Sequence, residues 1–379
     1  MGRRDGGSAR AGRPAVAAWW SPPVRGCHHP CVQSRRAATL TEVARRAGVS
    51  LTTASKAIND QPRVSAEARA RVLKAAAELS FTPNPMARSL LSGRSGTVAL
   101  LIIDRHSRRW AVSAILGVES ALHRVELSMV VADADGDADR LRDLALMYQA
   151  RKVDGLLVLG DNNSPTPSLR GVVSLPVVYL HGETGDPLDV CHVPDDRGGA
   201  ALALDHLHAL GRRRVAHITG PQGVRAVTER AGGALTRGRQ VGRPLVPGVR
   251  YGVWSQRWGR RAAVQLLQEQ PEVDAVLCGS DQIAYGVVLA LQAAGRRVPE
   301  DVAVTGYDNW GPFALEIDPT LTSVDMEFGV LGASAVRDLY AIIDGPADGS
   351  TVAGGVRSHA CSLIVRGSSD PAAYSPPGC

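Results

Sequence analysis

The sequence lacks the apolar stretches that membrane and secreted proteins need. No run of about 18 apolar residues, the minimum for a membrane-spanning helix, occurs in the 379 residues. The arginine-rich first segment also has no apolar core typical of a secretory signal. We therefore expect no membrane partner and a protein that stays in the cytoplasm.

Cysteine is too sparse to build a disulfide framework. The chain has six cysteines, and a chain of this length buries enough apolar surface to fold without cross-links. The one local cluster, Cys27-His28-His29-Pro30-Cys31, lacks a second ligand pair at the spacing of a zinc site. The sequence therefore predicts reduced thiols and no metal site.

Signatures of catalysis and of cofactor binding are missing as well. No glycine-rich dinucleotide motif opens a helix after the first predicted strand, and no phosphate-binding loop occurs. No Ser, His and Asp set sits at turns typical of hydrolases. We therefore expect neither a cofactor nor an enzyme.

Charge is distributed unevenly along the chain. The first 96 residues contain 16 Lys or Arg and 5 Asp or Glu, whereas the remaining 283 residues contain 27 and 32. A basic head binds the phosphate backbone by releasing its counterions, while an acidic body is repelled by it. This asymmetry favours DNA as the partner of the amino-terminal part.

Composition and periodicity divide the chain into five segments. Residues 1–37 are rich in Gly, Arg, Pro and Ala and show no apolar periodicity, which is typical of disorder. The predicted segments are a disordered basic extension at 1–37, a small helical domain at 38–83, a short helix and linker at 84–96, an α/β segment at 97–366, and a disordered tail at 367–379.

Two short helices joined by a tight turn are predicted near the start of the second segment. Thr39 and Glu42 have the spacing of a capping box, and Gly48 ends the helix that they open. Ser50 caps the second helix, which runs to Ile58 and exposes a polar face. This layout is that of a helix-turn-helix, whose second helix enters the DNA major groove.

A third helix completes the head. It begins after the cap Ser65, and its apolar residues Val72, Leu73 and Leu79 are expected to face the core. A further two-turn helix is predicted at 84–91, and this is too short to be stable alone in water.

After Gly96, apolar strand-like runs alternate with helical stretches. We predict seven strands, the first at Val98–Ile103 and the last at Val302–Val304, and six helices between and after them, the last at 329–343. This alternation predicts parallel sheets with helices on both faces. Because the segment is too long for one sheet, two lobes are expected, with a ligand cleft at the carboxyl ends of their strands.

The motif TLTEVARRAGVS at 39–50, followed by TASKAIN at 53–59, resembles the head of the lactose-repressor (LacI/GalR) family. The resemblance implies a small all-α helix-turn-helix head at 38–83, joined by a hinge helix and linker at 84–96 to an α/β two-lobed domain at 97–366 like that of periplasmic binding proteins. This last domain would bind the effector and form the dimer. It implies a sequence-specific transcriptional repressor whose operator affinity is changed by a small molecule, with a sugar as the favoured effector.

The resemblance also implies which residues bind DNA. The implied base-reading residues are Leu51, Thr52 and Lys56. The implied phosphate contacts are Thr53, Ser55 and Asn59. In the hinge helix the implied contacts are Asn84, Ala87 and Leu90. Leu90 matches a leucine that is wedged into a central minor-groove step, where an apolar side chain kinks the duplex.

Later motifs imply an effector site. HITGP at 217–221, CGSDQIA at 278–284, VTGYDN at 304–309 and PTLTSVD at 319–325 are each similar to a family motif. The implied effector-binding residues are Trp110, Arg230, Trp254, Asp281, Asp308 and Phe328. Such a set suits a sugar, because charged groups bond to hydroxyls and an indole packs on the apolar side of the ring. Helix caps at Asp281 and Asp308, and a core role for Trp254, remain alternatives.

Two stretches depart from the family pattern. Residues 104–110 stand where the family usually has an Asn-Pro-aromatic turn, which leaves the contact of Trp110 in doubt. Gly232-Gly233-Ala234 lacks the aromatic residue that usually follows Arg230, which leaves that wall of the cleft open.

The expected mechanism is that of a homodimer on a palindromic operator. A dimer is expected because the tail after Arg366 has no apolar heptads for a helical tetramer. Closure of the cleft around a sugar would separate the hinge helices and release the DNA. A corepressor of the same fold would reverse the sign, and a secreted sugar-binding protein would share the lobes but not the basic head. The expected location is the cytoplasm, in association with the nucleoid.

Overall fold

The computed structural model describes residues 38–81, 93–103, 109–161, 165–345 and 351–374, with only the backbone of Arg109 and Trp110. Several predictions lie outside the described residues: the basic extension with its Cys27–Cys31 cluster, the hinge helix with Asn84, Ala87 and Leu90, and the side chain of Trp110. The chain forms two units that divide between Pro83 and Asn84.

The smaller unit contains the head. Its helices are α1 (Leu40–Ala47), α2 (Leu51–Ile58) and α3 (Ala66–Glu78). Thr39 and Glu42 form the predicted capping box, and Gly48 ends α1 with a φ of 67°, a left-handed conformation that glycine adopts without steric cost. The predicted helix-turn-helix is confirmed.

Small apolar side chains fill the core of the head. Val43, Ala54 and Val72 are completely buried, and the short alanine side chain lets these helices approach closely. Leu73 was expected in this core, but 52% of it is exposed. The reason is that neighbouring helical residues are rotated by about 100°, so that Val72 and Ala75 face inward and Leu73 faces solvent.

The larger unit alternates strands and helices. Its strands are β1 (Thr97–Ile102), β2 (Ser128–Asp133), β3 (Gly155–Leu159), β4 (Val177–Leu180), β5 (Val190–Pro194), β6 (Val215–Thr219), β7 (Val249–Tyr251), β8 (Ala275–Cys278), β9 (Ala303–Tyr307), β10 (Thr322–Asp325), β11 (Gly355–His359) and β12 (Ser362–Ile364). Its helices in the described part are α4 (Arg109–His123), α5 (Ala138–Ala150), α6 (Asp196–Ala209), α7 (Arg225–Gln240), α8 (Gln256–Glu269), α9 (Asp281–Ala293), α10 (Gly311–Ala314) and α11 (Phe328–Asp344).

The first lobe is built on a parallel sheet with the strand order β11-β5-β4-β3-β1-β2. Residues of β3 and β5 are buried along the whole strand, because helices cover both faces of the sheet. Helices α4 and α11 pack on one face and α5 packs on the other. This lobe matches the predicted doubly covered parallel sheet.

The second lobe has a sheet with the order β12-β10-β9-β8-β6-β7. Its pairings are parallel except that β12 runs antiparallel to β10. Helices α8 and α9 cover one face, and α6 and α7 cover the other. The two-lobed α/β domain is therefore confirmed.

The chain crosses between the lobes at three connections, defined here by their residues. The first connection, 194–196, leads from β5 into α6; the second, 325–328, leads from β10 into α11; the third, 359–362, leads from β11 into β12. The backbone amide of Asp195 donates to the carbonyl of His359 at 2.7 Å, which ties the first connection to the third. Paired lobes on such connections can move as rigid bodies.

The tail departs from its prediction. Residues 367–374 are folded, since Ser368 and Ser369 are completely buried and a 3-10 turn follows at Pro371–Ala373. Ser368 bonds to the backbone of both Thr322 and Val304, so that its polar groups pair with strand edges despite the low hydrophobicity of the segment. Among the described residues, no helix has the length and apolarity to cross a membrane.

Candidate DNA-reading helix and effector cleft

Helix α2 presents the polar face on which the DNA-reading prediction rests. The Ser50 hydroxyl accepts a hydrogen bond from the Thr53 amide at 3.1 Å, which fixes the start of the helix. Leu51 is 51% exposed and Thr52 lies beside it at the surface. These two side chains contribute nothing to the core of the head and are available for contacts with another molecule.

The end of α2 is held by contacts within the head. The Asn59 side-chain amide donates to the Ser55 carbonyl at 2.9 Å, and Arg69 donates to the Gln61 carbonyl at 2.8 Å. Lys56 and Ser55 are half-buried, and α2 has no acidic residue in its first turn and Lys56 in its last. The helix is thus a fixed, positively charged element, which is what a major-groove reader requires.

The cleft between the two lobes contains a cavity of about 250 Å³. The first lobe contributes the start of α11 and Ser113 of α4, and the second lobe contributes the turn after β9. The lining residues are Ser113, Asp308, Asn309, Trp310, Gly311, Asp325, Glu327, Phe328 and Gly329. Of the predicted effector residues, the structure therefore brings Asp308 and Phe328 to the cavity wall.

The turn at 308–310 has an unusual backbone. Asp308 and Asn309 have φ values of 108° and 46°, and each such residue costs about 1–3 kcal/mol unless its surroundings hold it. The Asn309 amide donates to Ser323 Oγ at 2.9 Å, and its side chain is bonded to Asp325 and to Arg366. The turn is therefore held rigidly at the cavity wall, with the Asp308 carboxylate beside it.

Arg230 forms an ion pair with the Asp308 carboxylate. Its Nη1 lies 3.3 Å from Asp308 Oδ1 and 2.7 Å from the Gly279 carbonyl oxygen. Its Nε donates to Asp196 Oδ1 at 2.8 Å, and only 3–4% of either side chain is exposed. Although burial alone would lower the pKa of Arg230, the two carboxylates raise it above its usual value. The guanidinium is thus permanently charged and fully paired.

Asp281, the other carboxylate predicted to bind the effector, has surroundings different from those of Asp308. It is completely buried, its Oδ1 accepts from Ser323 at 2.6 Å and its Oδ2 accepts from the Trp310 amide at 2.6 Å. Burial, with a smaller contribution from Asp308, raises the pKa of Asp281 well above its usual value. Ser280, not Asp281, caps α9. Asp281 supports the turn at 308–310 and is not part of the cavity wall.

Trp254 also lies outside the cavity wall. Its indole covers Gly220, where an added Cβ would come within 2.5 Å of the ring, and it packs on the core of the second lobe. Phe328 makes an edge-on contact of 5.1 Å with His181, which follows β4. Asn309 and Trp310 line the cavity but were not among the predicted effector residues, although both follow a strand end, a position that points toward a cleft.

A buried histidine near Arg230 is expected to make the second lobe sensitive to acid. Burial, with a smaller contribution from the positive charge of Arg230, lowers the pKa of His217 to about 4. The hydrogen bond to the Leu277 carbonyl acts in the opposite direction. The unfolded chain, with a histidine pKa of about 6.5, therefore binds more protons between pH 6.5 and 4. We expect the free energy of unfolding to fall by about 3 kcal/mol across this window, because stability is lost as the pH falls toward the folded value.

The substitution His217→Asn tests this expectation. Asparagine keeps a side-chain N–H for the Leu277 carbonyl but does not titrate, so denaturant unfolding at pH 6.5 and at pH 4.5 should show a smaller difference than in the wild type. The exposed His123 supplies the matched control, His123→Asn. An unchanged pH dependence in His217→Asn would assign the acid sensitivity to other groups.

Both units of the chain match known protein families. The profile of bacterial regulatory proteins of the lacI family matches residues 39–84, and the profile of the periplasmic binding protein-like domain matches residues 204–369. The HTH-type transcriptional regulator CelR of Thermobifida fusca is 35% identical over 325 residues, which cover 83% of this chain and 94% of CelR. The HTH-type transcriptional repressor CytR of Escherichia coli is 29% identical and covers 88% of this chain and 96% of CytR.

Solved structures of transcriptional regulators are also similar to this chain. A complex of CelR with cellobiose is 31% identical, with a TM-score of 0.61, and covers 87% of this chain and 99% of its own. The lac repressor dimer bound to operator and the anti-inducer ONPF is 25% identical, with a TM-score of 0.69, and covers 88% of this chain and 99% of its own.

Proposed function

The chain belongs to the lacI family of bacterial regulatory proteins, and from this premise we propose that it is a repressor released from its operator by a β-linked glucose disaccharide. It is a sequence-specific DNA-binding transcriptional regulator whose operator affinity changes with a small molecule. The identity of the sugar and the residues that contact the sugar and the DNA are the new parts of this proposal.

The observation that carries the effector proposal is the cavity wall. It combines the rigid turn at 308–310, the Asp308 carboxylate held by Arg230, and the rings of Trp310 and Phe328. Carboxylate and amide groups suit the hydroxyls of a sugar, and aromatic rings suit its apolar face. The cellobiose complex of CelR, which is 31% identical to this chain, directs the proposal to cellobiose.

For DNA we propose the contacts expected from the sequence. Leu51, Thr52 and Lys56 read base edges, because they project from the exposed side of α2. Thr53 and Ser55 of the same helix and its C-cap Asn59 bind phosphates. A homodimer, as in the lac repressor, places two such helices one helical turn apart on a palindromic operator. The hinge contacts of Asn84, Ala87 and Leu90 complete this interface.

Two other functions are less well supported. The basic head, which matches the lacI profile at 39–84, has no use in a secreted sugar-binding protein, and it supports action on the chromosome in the cytoplasm. Enzymatic activity is also disfavoured, because the relatives are transcriptional regulators and the Asp308 carboxylate is already paired with Arg230.

A titration tests the effector proposal. Full-length protein is bound to the duplex that it selects from a randomised pool, and cellobiose or its α-linked isomer maltose is added. We expect cellobiose to release the duplex at concentrations near its own dissociation constant, with maltose far weaker. Tighter binding of the duplex in the presence of cellobiose would show corepression, and no effect of either sugar would refute the proposed effector.

A further inference from the structure

Three ion pairs join α6 to α7, and one of them differs from the others in its surroundings. Arg197 with Glu229 and Arg237 with Asp205 lie at the surface, with 34–52% of each side chain exposed. The pair between Asp196 and Arg230 is buried to 3–4%. A buried charge that loses its partner costs far more than an exposed one, so this pair constrains its surroundings in a way that the other two do not.

The buried pair lies where the three connections between the lobes meet. Asp196 is the last residue of the first connection, and Arg230 Nη2 lies 3.5 Å from Sδ of Met326 in the second. The guanidinium also stacks on the Tyr307 ring at 3.7 Å, and the Tyr307 hydroxyl lies 3.5 Å from Sγ of Cys361 in the third. One side chain, Arg230, is thus in contact with all three connections, directly or through Tyr307.

Two glycines allow this convergence. An added Cβ at Gly233 of α7 would lie 2.1 Å from the Arg197 carbonyl oxygen of α6, and one at Gly199 of α6 would lie 2.4 Å from the Tyr307 hydroxyl. A larger residue at Gly233 would push the two helices apart, and one at Gly199 would displace the Tyr307 ring on which Arg230 stacks. Gly233, which belongs to the stretch that departs from the family pattern after Arg230, therefore has a packing role.

We propose that Asp196 is a positioning residue for the regulatory response: it holds Arg230 against the three connections, so that the pair sets how readily the lobes move. Arg230 also holds Asp308 at the cavity wall, and a ligand that contacts Asp308 therefore acts on the same guanidinium that contacts the connections. This last step rests on the proposed function, whereas the constraint on the connections does not.

Hydrogen exchange of the full-length protein without any sugar tests the constraint. In Asp196→Asn the side-chain oxygen can still accept from Arg230 Nε, but the compensating charge is gone. We expect the amides at 195–196, 325–328 and 359–362 to exchange about tenfold faster, because local opening becomes easier. The matched control is Asp205→Asn, which removes an exposed pair between the same two helices and should leave these amides unchanged.

A merely structural role would give a different pattern. Faster exchange throughout the second lobe, or only at the first connection, would overturn the proposal. A second variant, Tyr307→Phe, keeps the ring under the guanidinium and removes the hydroxyl near Cys361, so that only the amides at 359–362 should exchange faster. Faster exchange at all three connections in this variant, or at none, would also contradict the proposed arrangement.

The regulatory part has its own readout. The ratio of operator affinities without and with cellobiose should fall about fivefold in Asp196→Asn and stay at the wild-type value in Asp205→Asn, since coupling between two sites is a free energy carried by the element that links them. If cellobiose does not bind the wild-type protein, the proposed effector is wrong. The hydrogen-exchange experiment, which uses no sugar, still tests whether Asp196 constrains the three connections. An unchanged ratio in Asp196→Asn would overturn the coupling.

Discussion

Asp308→Asn should weaken cellobiose binding by about 10- to 150-fold, because a hydrogen bond to a charged group contributes about 1.5–3 kcal/mol. Asparagine is the appropriate replacement since it tolerates the positive φ of 108° at this position better than most residues. The loss should appear both in calorimetric titration of the sugar and in the concentration that releases the operator.

The effect must be specific to the cleft. Asp301→Asn is the matched control, because Asp301 lies in the same lobe and pairs with Arg297 at 2.7 Å on the surface. Its sugar affinity and operator affinity should equal those of the wild type. Release of the operator from Asp308→Asn at the wild-type sugar concentration would show that the effector binds elsewhere.

Lys56→Ala should lower affinity for the selected operator by about 5- to 150-fold, because one good base contact contributes about 1–3 kcal/mol of discrimination. Affinity for random DNA should fall much less, since only one positive charge is lost from the phosphate interaction. Cellobiose affinity should stay unchanged, because Lys56 lies in a unit separate from the cleft.

Fluorescence anisotropy with operator and random duplexes measures both affinities. Lys74→Ala removes the same charge from the exposed surface of α3 and serves as the control. Equal losses in the two variants, or equal losses on operator and random DNA, would mean that Lys56 acts only as a charge and does not read bases.

The head was predictable because its signals are local. The caps Thr39, Ser50 and Ser65 and the turn at Gly48 each act within a few residues of the chain, and the helices begin and end where these signals stand. The error at Leu73 arose from extending the apolar stripe of α3 too far on one side, since Leu73 lies about 100° around the helix from Val72 and outside the core formed by Val72, Ala75 and Leu79.

The class of the α/β unit was predictable, but several of its elements, the order of its strands and its connections were not. Apolar runs marked the central strands, whereas β5 contains His192 and Pro194 and β11 contains Arg357, which concealed both strands. Helix α7 was also missed, since Gly232, Gly233 and Gly238 lower its helix propensity. Nothing in the sequence pattern encodes the order of strands in a sheet, and the three connections became visible only in the structure.

The effector site was also only partly predictable from the sequence. Resemblance to the family identified Arg230, Asp308 and Phe328, which the structure brings to or just beneath the cavity. It could not separate Asp281, which supports the turn, from Asp308, which lines the cavity, because both follow strands and both are acidic. Nor could it find Asp196, whose role depends on a contact 34 residues away in the chain.

Specific regulation by this protein requires that α2 reads base sequence, and selection from a randomised DNA pool tests this directly. Purified full-length protein at moderate ionic strength should enrich duplexes that carry two inverted half-sites, one for each copy of α2 in a dimer. Failure to enrich any sequence over random competitor, with and without cellobiose, would contradict the account.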